Sequence, residues 1–114
     1  MAFPGTYNFN YYRGDTFSFI VRPKDANGNT FSLDLYSAAF TVATARGAGA
    51  TQYNCTASVN TVDDIVTCTI SSTVGRNFAS GTTYVYDVQI TDGISVHTIL
   101  TGTITPTDDI TGAI

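Results

Sequence analysis

Residues 81–93, GTTYVYDVQITDG, carry the clearest structural signal in this chain. Every second side chain of residues 84–90 is apolar, and these side chains belong to Tyr84, Tyr86, Val88 and Ile90. A period of two predicts a strand with one apolar face. This segment therefore predicts a half-buried strand of a β-sheet.

Similar alternation, separated by turn residues, recurs along the rest of the chain. The pair Asp92-Gly93 is typical of tight turns, so we expect a long last strand at 94–105, ended by Pro106. Further strands, of which 31–35 could instead be an arched extended segment, are expected at 7–12, 17–22, 31–35, 40–42, 55–59 and 66–70. One short helical turn is expected within 71–80.

The composition supports an all-β fold. Thr, Val, Ile, Tyr and Phe are abundant, whereas the chain has no Glu and one Lys, so helix formers are scarce. About seven short strands in 114 residues predict one domain over 1–114, with flexible ends at about 1–6 and 107–114. The pattern favours an immunoglobulin-like antiparallel β-sandwich, and a jelly roll or small barrel is the competing architecture. The Trp that marks antibody domains is absent.

Charge and hydropathy exclude two classes of partner. The formal net charge is -4, and the five Lys and Arg residues are scattered, so neither nucleic acid nor an anionic membrane is expected as a partner. No stretch approaches the roughly 20 apolar residues of a membrane helix. The N-terminus lacks a secretory pattern, so we expect synthesis in a cytosol.

No set of residues predicts an enzyme, a metal site or a cofactor site. His97 is the single histidine, and no nucleophile motif accompanies it, so we interpret it as a surface or interface residue. Cys55 and Cys68 are placed symmetrically about a turn at 60–64 and should face each other across a hairpin. They could form a disulfide, but two buried free thiols are favoured in a reducing cytosol.

Three short motifs have simpler explanations than the sites they resemble. Residues 25–29, DANGN, look like the start of a calcium loop but lack its distal Glu, and a hairpin turn explains them. The tripeptide Arg13-Gly14-Asp15 and the glycosylation acceptor Asn54-Cys55-Thr56 are interpreted as chance matches.

Four aromatic residues near the N-terminus form the one candidate partner interface. They are Tyr7, Phe9, Tyr11 and Tyr12. Aromatic side chains are enriched at protein interfaces, and they are equally suited to strands that face a core.

Several segments together resemble a known family. They are Gly14-Asp15-Thr16-Phe17, Lys24-Asp25 with Gly28, Asp34-Leu35 leading to Phe40-Thr41-Val42, residues 81–89 and residues 98–105. Over about residues 12–111 the chain resembles small Ig-like virion domains of tailed bacteriophages. Examples are the N-terminal domain of baseplate upper proteins and small structural proteins of marine cyanophages.

The resemblance implies a non-enzymatic structural protein of the virion, made in the host cytoplasm. Baseplate homologues usually continue into a fibre or trimerising segment, whereas this sequence ends at Ile114. Capsid decoration by a free-standing domain is therefore favoured. A baseplate or tail-fibre adaptor is one alternative, and a carbohydrate- or receptor-binding module is another. Expected partners are phage capsid, tail or baseplate proteins, and a homo-oligomer remains open.

Overall fold

The computed structural model describes residues 4–47 and 49–108, and most of these lie in β-strands. Within these residues one short helix, α1, covers Ser72–Gly75. The described part of the chain has eight strands, which are β1 Gly5–Thr6, β2 Phe9–Tyr12, β3 Phe17–Val21, β4 Ser37–Ala43, β5 Gln52–Asn60, β6 Ile65–Ile70, β7 Tyr84–Thr91 and β8 Val96–Thr107. The expected all-β class and the helical turn within 71–80 are both confirmed.

The strands form one curled sheet in the order β1-β8-β7-β4-β5-β6-β3, with β2 also paired to β8. The curl depends on β5, which changes partner along its length. Its residues from Gln52 to Cys55 pair with β4, and those from Thr56 to Asn60 pair with β6. The sheet is mixed and not purely antiparallel as expected, because β1 and β2 both run parallel to β8.

Aromatic rings fill the space that the curl encloses. Phe19 of β3 lies 5.4 Å from Phe40 of β4 and 6.0 Å from Tyr86 of β7, measured between ring centroids. β3, at one end of the hydrogen-bonding order, therefore packs against β4 and β7 from the middle of that order. Phe9 of β2, which pairs with β8 near the other end, lies 5.6 Å from Phe19. The predicted alternation in β7 is confirmed, since all four of its even-numbered apolar residues are buried.

Two local predictions are wrong. Leu35 was expected to alternate with Leu33 in a short strand or an arched extended segment, but only Leu33 is buried. Leu35 adopts φ 67° in a turn closed by the Tyr36 N–H to Leu33 C=O bond of 3.0 Å, and its side chain points to solvent. Pro106 does not end β8, which continues to Thr107. Beyond Ile104 the partner on the β7 side has ended and only β2 remains, so a residue without an N–H can be accommodated.

The cysteines do not face each other. The hairpin pairs Asn60 with Ile65, which places Cys68 opposite Ala57, while Cys55 pairs with Phe40 of β4. The centre of the turn lies one residue later in the chain than the midpoint between the two cysteines. Each residue of β5 therefore pairs with a residue two positions later in β6 than symmetric spacing predicts. Both thiols are free, as favoured from the sequence.

The chain ends are only partly described. Within the expected flexible ends, Gly5–Thr6 form β1 on the edge of β8, and Asp108 pairs with Arg13 at 2.6 Å. Residues 1–3 and 109–114 lie outside the described residues.

Candidate functional site

The predicted aromatic interface divides into core and surface residues. Tyr11 is 2% exposed, and Phe9 packs its ring between Tyr7 and Phe17 at centroid distances of 5.2 and 4.8 Å. Tyr7 and Tyr12 keep 42% and 58% of their surface exposed. Only these two can therefore offer a large part of a ring to a partner.

Tyr11 is held in place by its surroundings. Its hydroxyl donates a hydrogen bond to the carbonyl oxygen of Asp15, and its ring end lies over Gly75 of α1, where no Cβ would fit. Burial and the nearby Asp15 carboxylate raise the pKa of Tyr11 to about 12. Tyr11 therefore anchors β2 to the helical turn.

The free edge of β3 is bordered by exposed cavities with apolar walls. Among the described residues β3 pairs with β6 alone, so the other side of its backbone has no ladder partner. Two adjoining cavities of about 410 and 260 Å³ lie beside it and share Val21, Arg22 and Leu100 as lining residues. Together they form a groove between β3 and β8, which we name the β3 groove.

The walls of the β3 groove are apolar and its rim is basic. Tyr7, Phe19 and Leu100 line one of its cavities, together with Ile20, which is 49% exposed. Lys24 lines the other cavity, and Arg22 lines both. The one ion pair among the described residues is Arg13 with Asp108, so neither of these cations is in a salt bridge there.

The neighbouring edge, formed by β1 and β2, is protected in a way that β3 is not. These strands have two and four residues and are interrupted at Tyr7 and Asn8. At the break, the Asn8 side-chain oxygen accepts the Thr103 N–H at 2.9 Å. Short, interrupted edges discourage pairing with another chain, whereas β3 carries the run Phe-Ser-Phe-Ile-Val without charge or proline.

A second candidate lies on the outer surface of β4 and β7. It is a polar recess of about 320 Å³ whose polar lining residues are Thr41, Arg46, Gln52, Asp87 and Gln89. Partial burial raises the pKa of the Asp87 carboxyl, and the Arg46 guanidinium partly offsets this effect. Carboxylate, amide, hydroxyl and guanidinium groups are suited to a polyhydroxylated or zwitterionic ligand.

Neither of these two surfaces is lined by His97, Cys55 or Cys68. His97 lies beside the rings of Phe31 and Tyr36, at centroid distances of 6.1 and 6.3 Å. Burial raises the pKa of the Cys55 thiol to about 11 and that of Cys68 to about 12. A thiol that stays protonated at neutral pH is a poor nucleophile.

The structure gives the acidic and motif residues local roles. Within residues 4–47 and 49–108, no three His, Cys, Asp or Glu residues are close enough to hold a metal ion. The Asp25 carboxylate accepts the backbone N–H groups of Asn27 and Asn29 at 2.9 and 3.0 Å, as expected for a turn. Arg13 binds the carbonyl oxygens of Phe78 and Arg76 as well as Asp108, so it ties β2 to the loop after α1.

Sequence reasoning missed both surfaces. The alternation of residues 17–22 is consistent with the outward position of Ile20. An open edge, however, is a property of the whole strand order, which a local pattern does not give. For the recess, the alternation of residues 84–90 places Asp87 and Gln89 on the face opposite the apolar one. Their neighbours Arg46 and Gln52 come from another hairpin.

No known family model matches this sequence, and no curated protein matches it. Among the described residues, no helix is long and apolar enough to span a membrane.

Proposed function

We propose that the curled sheet is an immunoglobulin-like sandwich. The order β3-β6-β5 corresponds to strands B, E and D of that fold, and β8-β7-β4 corresponds to G, F and C. Tyr84 at the start of β7 accepts the Ala79 N–H at 2.8 Å, which resembles the tyrosine corner of such domains.

An aromatic cluster supports the same assignment. Antibody domains join strands B and F by a disulfide and pack a Trp of strand C against it. In this chain the corresponding strands contribute Phe19, Tyr86 and Phe40, with all three ring pairs between 5.4 and 6.0 Å. Three rings thus occupy the place of the disulfide and the Trp. An experimental structure with Phe19 outside this cluster would overturn the assignment.

We propose further that the protein is a non-enzymatic structural component of a tailed-phage virion that works by docking. The observation that carries this proposal is the β3 groove, an apolar contact surface beside an open strand edge. Such edges bind other polypeptides through main-chain hydrogen bonds, with side-chain pockets giving specificity. The sequence resemblance supports the virion as the place, with capsid decoration favoured over a baseplate or tail-fibre adaptor.

Particle composition tests the virion proposal. Gradient-purified particles of the phage that encodes the chain should contain it in many copies by quantitative mass spectrometry, and immunogold labelling should mark the capsid. Labelling of the tail tip would favour the adaptor alternative. Particles without the protein would refute the proposal.

A carbohydrate- or receptor-binding module is the second candidate, and the polar recess favours it. Its lining offers the hydrogen-bonding groups that orient sugar hydroxyls. Glycan-array binding by the purified chain should then be lost in Asp87→Asn and retained in Asp63→Asn, a matched change in the exposed turn after β5. Binding unaffected by Asp87→Asn would exclude the recess.

A further inference from the structure

We infer that the β3 groove is closed by a second copy of this chain, through antiparallel pairing of β3 with β3 about a two-fold axis. This inference rests on the proposed docking role of the β3 groove and names a second copy as the polypeptide that the groove binds. Particle composition tests the virion proposal and oligomeric state tests the dimer, so either can fail without the other. A two-fold contact uses the same surface on both copies and ends after one pairing step. An open strand edge would thereby be removed without leading to filaments.

The open edge and the apolar sequence of β3 favour pairing with another strand. β3 combines unpaired backbone groups on one side with an apolar sequence, and such edges associate with other strands unless they are blocked. Ile20 and Tyr7 are exposed beside this edge, and both would lose solvent contact if a strand lay along the groove. Burial of their apolar surface would favour association.

The charges at the two ends of β3 favour a second copy as its partner. Asp15 precedes β3, whereas Arg22 and Lys24 follow it, and all three side chains are exposed. An antiparallel partner centred near Phe19 places Asp15 of each copy opposite the segment 22–24 of the other. Opposite charges therefore meet at both ends of the paired strands. A different partner would have to supply both charges itself, whereas a second copy carries them already.

The hydrophobic cores of the two copies should lie on the same side of the joined sheet. Antiparallel neighbours that face each other point their side chains to the same face. With Phe19 at the axis, Phe17 of one copy lies opposite Val21 of the other, and both face their own cores. The two three-stranded parts β5-β6-β3 then become one six-stranded surface.

The oligomeric state of the full-length chain tests the inference. Sedimentation equilibrium should give twice the mass of one chain at micromolar to millimolar concentrations. Ile20→Lys should lower the association constant at least tenfold, because it places two like charges near the axis in an apolar contact. Val62→Lys is the matched control, since Val62 is 89% exposed in the turn after β5 and should leave the dimer intact.

A charge swap separates this arrangement from other dimers. Asp15→Lys should weaken the dimer, and adding Arg22→Asp and Lys24→Asp to the same chain should restore it. Circular dichroism of every variant must show the wild-type β spectrum. If Ile20→Lys fails this control, Ser18→Lys on the same face of β3 replaces it. A monomer at every concentration would overturn the inference. A dimer that survives Ile20→Lys but is broken by Val62→Lys would also overturn it.

Discussion

Replacement of Phe19 by Ala tests how the two ends of the sheet are held together. The Phe19 ring contacts Phe40, Tyr86 and Phe9 at centroid distances of 5.4, 6.0 and 5.6 Å. Truncation removes all of these contacts at once and leaves a cavity between strands that share no hydrogen bonds. The effect should therefore fall on the packing of β3 against β7 and β4.

The expected loss is large for one residue. Truncation of a buried Phe to Ala costs about 3–5 kcal/mol, and Phe19 is half-buried, so about 3 kcal/mol is expected. Domains of this size are stable by about 5–15 kcal/mol, so the variant should still fold. With a urea dependence of about 1–3 kcal/mol per molar, the unfolding midpoint should fall by about 1–3 M.

Urea unfolding followed by circular dichroism measures this loss. Ser18→Ala is the matched control, because Ser18 is the adjacent outward-facing residue of the same strand and its change should stay within about 0.5 kcal/mol. All chains are compared at one low concentration, because association adds to apparent stability. A loss below about 1 kcal/mol for Phe19→Ala would refute the idea that its ring joins the two ends of the sheet.

Two further predictions concern β8 and the thiols. Gly102→Ala should lower the unfolding free energy by about 1–3 kcal/mol, because the new Cβ would overlap the Tyr7 carbonyl oxygen, which accepts a hydrogen bond from the Tyr86 hydroxyl at 2.6 Å. Thr101→Ala, at the neighbouring half-buried position, is the control and should lower it less. Equal losses in the two variants would contradict this reasoning. Because burial raises the pKa of both thiols, the unfolded chain loses these protons first as pH rises, so stability should be level below about pH 8 and fall between about pH 9 and pH 12. At pH 10.5 the Cys68 thiol should account for a loss on the order of 1–2 kcal/mol, and Cys68→Val should show a smaller fall in urea unfolding than the wild type; identical pH profiles would contradict the burial of this thiol.

The sequence predicted elements whose signal is local. Alternation identified β7 and β3, and it placed their inward and outward faces correctly because a period of two belongs to each strand alone. It failed at Leu35, because the backbone there adopts a left-handed conformation in a turn and the apolar side chain points to solvent. It also failed at Pro106, because the tolerance of β8 for proline depends on where β7 begins.

Features set by long-range pairing were beyond the reach of the sequence. The partners of Cys55 and Cys68 depend on a shift of two residues in hairpin register, which symmetry of spacing does not determine. The four aromatic residues near the N-terminus were recognised as a candidate interface, yet Tyr11 is buried, with its ring end against Gly75 of α1. The β3 groove exists because of strand order, so its apolar walls come from three separate parts of the chain.

Hydrogen–deuterium exchange of β3 tests most directly whether its open edge is the contact surface of this domain. Peptides covering residues 16–22 are followed by mass spectrometry in the wild type and in Ile20→Lys, at equal high concentration. If the edge is used as we infer, these amides exchange slowly in the wild type and several-fold faster in the variant, while β7 peptides exchange alike in both. Equally fast exchange of residues 16–22 in both chains would contradict the account, because the edge would then face water.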